Sequence, residues 1–182
     1  MTASPEPVHE TAASADGAAL TFGGVDHVSL TVTDLNVSAR FYTEVLGFTV
    51  VLDFGYGLAC IHKTTGFTLS LIRHPDGSGT RFTHRQTGLD HLGLTARNKT
   101  ALLGWEQRLR ELDVEFTPVR DSELGYHLNF RDPDGIALEF YAPNDRFAAA
   151  LDELRSREFS DEELLDGAEQ LGLGAYVARR IS

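Results

Sequence analysis

The sequence predicts an α+β fold built from two successive β-α-β-β-β halves and completed by a C-terminal helical extension. An internal repeat is the main observation, since residues 25–31 (VDHVSLT) return as residues 89–95 (LDHLGLT). A second, weaker repeat relates residues 66–71 (GFTLSL) to residues 135–140 (GIALEF). Because repeats at a fixed spacing report architecture directly, the two halves are predicted to share one topology.

The first half opens with a predicted strand at residues 25–32, where apolar and polar residues alternate. Asp34 is a typical helix N-cap, and apolar residues at helical spacing follow it until Gly47 ends the helix. Three further strands are predicted between clusters of turn residues, at 48–54, 58–62 and 67–72.

The second half repeats this order of elements. A strand is predicted at residues 89–95 and a helix at 99–112. The sequence DPDG at residues 132–135 is a strong tight-turn signal between two strands. The three strands after the helix are predicted at 114–119, 127–130 and 136–141.

The domain organisation follows from these elements. Residues 1–20, rich in Ala, Ser, Pro and Glu, are predicted to be a disordered tail. Residues 21–144 form the predicted domain, with modules at about 23–76 and 87–144. Residues 145–182 break the repeat and are predicted to be helical, with Ser160 capping the second helix and Gly172 stopping it.

Composition excludes several partners. The net charge of −11 argues against a nucleic-acid-binding surface, which needs a basic face, and against adsorption to an anionic membrane. No apolar run approaches the roughly 20 residues of a membrane span, and no signal peptide is recognisable at the start. Cys60 is the single cysteine, so an internal disulfide is excluded and a reducing compartment is expected. We therefore expect a cytoplasmic protein that binds a small-molecule substrate.

A histidine occupies the same position in both copies of the first strand. His27 and His91 are equivalent, and a pseudo-two-fold axis between duplicated halves brings equivalent positions near each other. Glu139 lies on the last strand of the second half, so the three side chains converge if they share the concave face. Two imidazoles and one carboxylate are the donor set of non-haem Fe(II) oxygenases. A lone strand histidine is more often structural, but its repetition favours a divalent metal site.

Four segments together resemble the vicinal oxygen chelate superfamily: VDH at 25–27, FYTEVLGF at 41–48, LDH at 89–91 and DPDGIALEF at 132–140. That superfamily includes glyoxalase I, bleomycin resistance proteins, fosfomycin resistance enzymes and extradiol dioxygenases. The resemblance covers roughly residues 23–144. It implies that the two βαβββ modules form a curved mixed sheet around a metal, with His27, His91 and Glu139 at the ligand positions. Ser70 is the counterpart of Glu139, where glyoxalase-type members usually carry a carboxylate.

Further candidates lie on the strand before Glu139. His127 is a candidate acid or base because imidazole titrates near neutral pH; a solvent-facing histidine at a strand end is the alternative. Asn129 stands ten residues before the glutamate, where extradiol dioxygenases and fosfomycin enzymes usually have a tyrosine, and it is a candidate for binding the substrate. The predicted substrate-binding set is completed by Arg131, Tyr126, Ser70 and His62.

The resemblance leaves three functions open. The favoured one is a non-haem Fe(II) dioxygenase acting on a small substrate with vicinal oxygens, because a three-ligand set leaves coordination positions free. Mn(II), Ni(II) or Zn(II) would suit the second, a non-redox glyoxalase-like lyase, isomerase or thiol transferase. The third is a drug-sequestering protein of the bleomycin-resistance type. A homodimer, with the C-terminal helices at its interface, is compatible with all three.

Overall fold

The computed structural model describes residues 23–173. The predicted N-terminal tail at residues 1–20 lies outside the described residues, as does the extension from residue 174 onwards. Among residues 23–173, no helix has the length and apolar character needed to cross a membrane.

The elements of the first module are β1 (His27–Thr31), α1 (Leu35–Arg40), β2 (Thr49–Asp53), β3 (Gly57–His62) and β4 (Phe67–Ile72). The strands form a four-stranded mixed sheet in the order β1-β4-β3-β2, with β1 parallel to β4 and the other pairs antiparallel. Helix α1 follows the first strand, where the Asp34 carboxylate accepts hydrogen bonds from the backbone N–H groups of Asn36 and Val37.

The elements of the second module are β5 (Leu92–Thr95), α2 (Lys99–Glu111), β6 (Arg120–Asp121), β7 (Gly125–Arg131) and β8 (Ala137–Pro143). They form a separate mixed sheet with the equivalent strand order, β5-β8-β7-β6, and again a parallel first pair. This confirms the predicted α+β fold with tandem βαβββ modules.

Three local features differ from the sequence-based expectation. The first helix continues beyond α1 as a π-helical segment, Phe41–Val45. The strand expected at residues 114–119 is wrong, because regular pairing is confined to β6 and Phe116 makes only an isolated bridge to Phe130. Pro118 explains part of this difference, since it has no N–H to give to a β-ladder. The second copy of the first strand begins at Leu92, so His91 immediately precedes it.

One hydrophobic cluster serves both modules. It combines residues from the helix-facing sides of both sheets, such as Leu69 and Leu71 of β4 with Leu128 and Phe130 of β7. The alternate residues of the same strands are more exposed, which leaves each sheet with a second, open face. Both open faces therefore lie away from the shared core.

The β7–β8 turn fastens the second module to the first. The buried carboxylate of Asp132 accepts a hydrogen bond of 3.1 Å from the Tyr42 hydroxyl. Asp134 accepts from the backbone N–H of Thr33 at 3.1 Å and from the hydroxyls of Thr33 and Ser38. Gly135 adopts φ +81°, which the turn requires and which side chains disfavour. The turn is thus both a hairpin and an inter-module contact.

Two helices follow the second module, as predicted. They are α3 (Asp145–Ser156) and α4 (Asp161–Gln170). Ser160 caps α4 through a capping box with Glu163, in which side chain and backbone bond reciprocally. Gly172, at φ +79°, lies just beyond the end of α4.

Candidate metal centre

The open face of the second sheet gathers most of the predicted site. Strand β7 presents His127, Asn129 and Arg131 there, while the intervening residues are buried in the core. Glu139 lies on β8 directly opposite Asn129 and is also in register with Gly93 of β5. Because residues two apart share a face, one surface carries all these groups.

Glu139 is the centre of this surface. Its side chain is 12% exposed and faces an imidazole at each oxygen. Oε2 is 3.5 Å from Nε2 of His91, and Oε1 is 2.8 Å from Nδ1 of His127. A carboxylate that is largely withdrawn from water needs such partners, because desolvation disfavours its charge.

Asp90 orients His91. Its Oδ1 lies 2.6 Å from Nδ1 of His91, so the other ring nitrogen is the one that faces Glu139. This hydrogen bond, together with the nearby side chains of His84 and Arg131, holds the pKa of Asp90 below its usual range. A carboxylate on the far nitrogen of a histidine is the usual support for a metal-binding imidazole.

The first sheet carries the remaining predicted ligand. His27 lies on the open face of β1, with Nδ1 3.8 Å from Oδ2 of Asp26, which repeats the Asp-His arrangement of the second module. Ser70 lies on the same face, because it is in register with Ser29 of β1. The structure therefore brings His91 and Glu139 together and leaves His27 on the other sheet. Within residues 23–173, no group of three or more His, Cys, Asp or Glu side chains is placed to hold a metal ion.

Two predicted substrate-binding residues face away from this surface. Tyr126 packs against the core, with the Lys99 ammonium 4.9 Å from its ring centre. His62 lies on the core side of β3, with its ring 5.5 Å from that of Phe48 and its Nδ1 2.8 Å from Oγ1 of Thr65. The reason is strand parity, since each is an odd number of residues from the open-face positions of its strand.

Three contributors were not predicted from the sequence. Ser122 places its Oγ 2.9 Å from Nε2 of His127, and Tyr141 packs its ring 4.9 Å from the same imidazole. Gly93 leaves space beside Glu139, because a Cβ built there would lie 4.0 Å from Oε2. Strand parity is the signal that would have found Tyr141 and Gly93. No sequence signal indicates Ser122, whose contact depends on the turn before β7.

A separate polar cleft of about 520 Å³ lies between β1 and the long loop that joins the modules. Thr31, Thr33, Arg73 and Arg81 are among its lining residues, and none of the three predicted ligands lines it. We therefore place the candidate site on the open face of the second sheet.

The structure thus combines a duplicated βαβββ topology with a His/Glu pair on an open sheet face, which defines a class of two-module α+β proteins. The family model for the glyoxalase/bleomycin resistance protein/dioxygenase superfamily matches residues 24–140, and the chain belongs to that superfamily.

Individual proteins support this assignment. A glyoxylase/bleomycin resistance protein/dioxygenase domain from Frankia sp. EAN1pec is 34% identical, with a TM-score of 0.63, covering 68% of this chain and all of that one. The uncharacterized protein YwkD of Bacillus subtilis is 27% identical over 124 residues, which are 64% of this chain and 94% of YwkD. The fosfomycin resistance protein FosX of Listeria monocytogenes, complexed with Mn(II), is 18% identical, with a TM-score of 0.56, covering 70% and 95% of the two chains. That last similarity shows the fold alone.

Proposed function

We propose that this protein is a metal-dependent enzyme in which His91, Glu139 and His27 bind one divalent cation. The observation that carries the proposal is the convergence of His91 Nε2 and Glu139 Oε2, 3.5 Å apart on an open sheet face. Asp90 supports it by fixing the ring nitrogen that points away from Glu139.

The donor set fits a divalent transition metal. Neutral imidazole nitrogens and one carboxylate suit Fe(II), Mn(II), Ni(II) and Zn(II), and three protein ligands leave positions for a substrate. Ser70 stands at the position that corresponds to Glu139, so the chain offers no fourth carboxylate there. A set of three protein ligands, two histidines and one carboxylate, favours Fe(II). Bound Fe(II) would supply Lewis-acid polarisation of two adjacent substrate oxygens together with reactivity towards O₂.

His27 reaches the site, in this proposal, from a second copy of the chain. Both open faces lie away from the shared core, and His27 is on a different sheet from His91 and Glu139. A two-fold dimer would bring the open face of the first sheet in one copy against that of the second sheet in the other. Each dimer would then contain two equivalent three-ligand sites.

The remaining open-face groups are proposed to hold the substrate. Asn129 is directly opposite Glu139 and offers both a donor and an acceptor. Arg131 lies two residues further along the same face, near Asp90, and can bind an anionic oxygen. Together they would position a small substrate whose vicinal oxygens face the ligands.

The test is metal analysis of protein purified anaerobically, followed by assays with and without O₂. For the dioxygenase we expect near-stoichiometric Fe(II) after reconstitution, and O₂ uptake with members of a panel of catechols and hydroxy-ketones. Glu139→Gln should weaken metal binding by more than the ~10–100-fold typical of losing a ligand's supporting partner. Glu162→Gln, which removes a carboxylate from α4, is the matched control.

Two results would replace the dioxygenase. Turnover that is unchanged under strict anaerobiosis would assign non-redox lyase, isomerase or thiol-transferase chemistry to the same residues. Protein that retains no metal after reconstitution, while His27→Ala keeps full affinity for a small-molecule ligand, would assign a sequestering protein instead.

A further inference from the structure

The His127 ring is held at both of its nitrogens. Nδ1 is 2.8 Å from Oε1 of Glu139, and Nε2 is 2.9 Å from Oγ of Ser122. The Tyr141 ring packs 4.9 Å away at an interplanar angle of 44°, and its hydroxyl donates to the Leu124 carbonyl at 3.0 Å. The imidazole is therefore held by a hydrogen bond at each ring nitrogen and by the packed ring of Tyr141.

The turn before β7 fixes Ser122 in its place. Its backbone N–H donates to the Gly125 carbonyl at 2.7 Å, and the Gly125 N–H donates to Ser122 Oγ at 3.2 Å. The serine hydroxyl has two acceptors within reach, Nε2 of His127 and the Gly125 carbonyl oxygen at 3.0 Å. Oγ is thus anchored before it meets the histidine.

Hydrogen-bond chemistry assigns the tautomer of His127. An ionised carboxylate only accepts, so Nδ1 must carry the hydrogen that bonds Glu139. In the neutral ring, Nε2 is then an acceptor and takes the hydrogen of the Ser122 hydroxyl. In this series of hydrogen bonds, from Ser122 through His127 to Glu139 Oε1, every donor and acceptor has a partner. Oε2 is then the Glu139 oxygen that faces His91.

We propose that His127 is a positioning residue, which Ser122 anchors and which holds Glu139 so that only Oε2 is presented to the metal. The proposal rests on the proposed function, since it assigns the metal to the Oε2 side. It also reassigns His127, because Nε2 already accepts from the Ser122 hydroxyl, and a substrate could exchange a proton with this nitrogen only after displacing that hydroxyl. The same three groups match the spacing of a Ser-His-carboxylate triad. Ser122 Oγ, however, is also hydrogen-bonded to the backbone of Gly125 within the turn. The positioning role requires no group beyond Ser122, His127 and Glu139.

The test compares three variants for Co(II) binding by the metal-free protein, using affinity and the visible absorption of the bound ion. His127→Phe should weaken Co(II) binding by ~10–100-fold and alter the spectrum, as expected when a ligand loses its supporting partner. His127→Asn, whose amide N–H can replace Nδ1, should restore most of the affinity. Ser122→Ala should give an intermediate loss, and thermal unfolding of each variant checks that it folds.

Other outcomes would overturn the assignment. Wild-type affinity and spectrum in His127→Phe would remove the positioning role. Full Co(II) binding by His127→Asn, with turnover abolished, would restore His127 as a proton carrier. Covalent labelling of Ser122 by a fluorophosphonate probe would make Ser122 a nucleophile.

A measurement without metal separates this inference from the proposed function. Long-range ¹H–¹⁵N spectra of metal-free protein at pH 8 should show His127 as the Nδ1–H tautomer, and Ser122→Ala should perturb its Nε2 signal. The opposite tautomer would overturn the positioning role of His127 even if the protein binds the metal. Absence of Co(II) binding by the wild type, with the expected tautomer present, would instead overturn the proposed function and leave His127 fixing Glu139 alone.

Discussion

At the scale of single residues, Gly93 leaves the Oε2 side of Glu139 uncovered by a side chain. The two residues are in register on β5 and β8, and a Cβ at Gly93 would stand 4.0 Å from Glu139 Oε2, which is ordinary van der Waals contact. The backbone at Gly93 does not require glycine through its φ angle. A methyl group therefore fits, whereas a longer side chain would extend over the carboxylate.

Gly93→Leu is expected to weaken Co(II) binding by ~10-fold or more, about 1.4 kcal/mol, while the unfolding temperature changes little. The reason is steric, because the added side chain lies on an exposed face and obstructs only the approach to Oε2. Gly93→Ala is the matched control and should bind nearly as the wild type does. Both quantities are measured on the metal-free protein by titration and by thermal unfolding. Equal affinity in Gly93→Leu would mean that the metal does not approach from the Oε2 side.

The sequence predicts some of these residues and not others for identifiable reasons. His91 and Glu139 are found because the repeat marks them, and His127 and Asn129 because a period of two extends from Glu139 through the hairpin. Parity also shows that Tyr126 faces the core, once the strand boundaries are known. Ser122 is invisible to such patterns, since its contact with His127 depends on the geometry of an irregular turn.

At the scale of elements, a glycine opens the third strand of each module. Gly57 begins β3 opposite the end of β4, and Gly125 begins β7 opposite the end of β8. A Cβ at Gly125 would meet the Ala142 carbonyl oxygen at 2.3 Å and Pro143 Cα at 2.8 Å. Those are backbone atoms of the paired strand, so they cannot move without opening the ladder.

Gly125→Ala should lower the free energy of unfolding by roughly 1–3 kcal/mol, the range for overpacking a fitted site. Urea unfolding measures this, with the slope of the transition checked for a two-state change. Gly104→Ala is the control, because Gly104 is exposed within α2 with nothing within 4 Å of an added Cβ. It should raise stability by about 0.5–1 kcal/mol through helix propensity. Comparable effects from the two substitutions would contradict the close strand approach.

Element boundaries were predictable where local chemistry sets them. The caps at Asp34 and Ser160 are specified by side chains that bond nearby N–H groups, and both helices begin there. The region before β7 was not predictable in the same way, because residues 114–119 have apolar alternation but pair irregularly around Pro118. The π-helical turn after α1 likewise has no local sequence signal.

At the scale of the whole molecule, the buried carboxylate of Asp132 makes the contact between modules sensitive to pH. Burial, reinforced by the neighbouring Asp134, raises the pKa of Asp132 from 3.8 to about 6, although hydrogen bonds from Ile136 N–H and Tyr42 oppose the shift. Burial beside Asp132 also raises the pKa of the Tyr42 phenol, which therefore remains a donor. The folded protein consequently holds the Asp132 proton more tightly than the unfolded chain does.

The contribution of Asp132 to stability should be complete below pH 3.8 and lost as the pH rises through about 6. Between pH 8 and pH 5 this linkage raises the free energy of unfolding by about 1–1.5 kcal/mol. Asp132→Asn should remove that increment, since the amide keeps the shape and cannot ionise. Asp152→Asn, which deletes a charge from the surface of α3, should keep it. Urea unfolding at both pH values measures the difference, and an unchanged increment in Asp132→Asn would contradict the raised pKa.

At the same scale, the three proposed metal ligands come from two different modules, which allows a complementation experiment. His27 belongs to the first module, whereas His91, which immediately precedes β5, and Glu139 of β8 belong to the second. If two copies share each site, one copy supplies His27 and the other supplies His91 and Glu139. The substitutions His27→Ala and Glu139→Ala then remove ligands that come from different copies. A mixed dimer of the two variants would contain one site with every ligand present and one site lacking two.

Refolding equal amounts of His27→Ala and Glu139→Ala together should therefore restore about a quarter of the wild-type metal sites. Random pairing makes about half of the dimers mixed, and one of the two sites in each mixed dimer is intact. Neither variant alone should bind Co(II) with wild-type affinity. His91→Ala mixed with Glu139→Ala is the control, since both substitutions damage the same contributor and no intact site can form. Restoration in neither mixture, with the mixed dimer confirmed by native mass spectrometry, would mean that His27 is not supplied by a second copy.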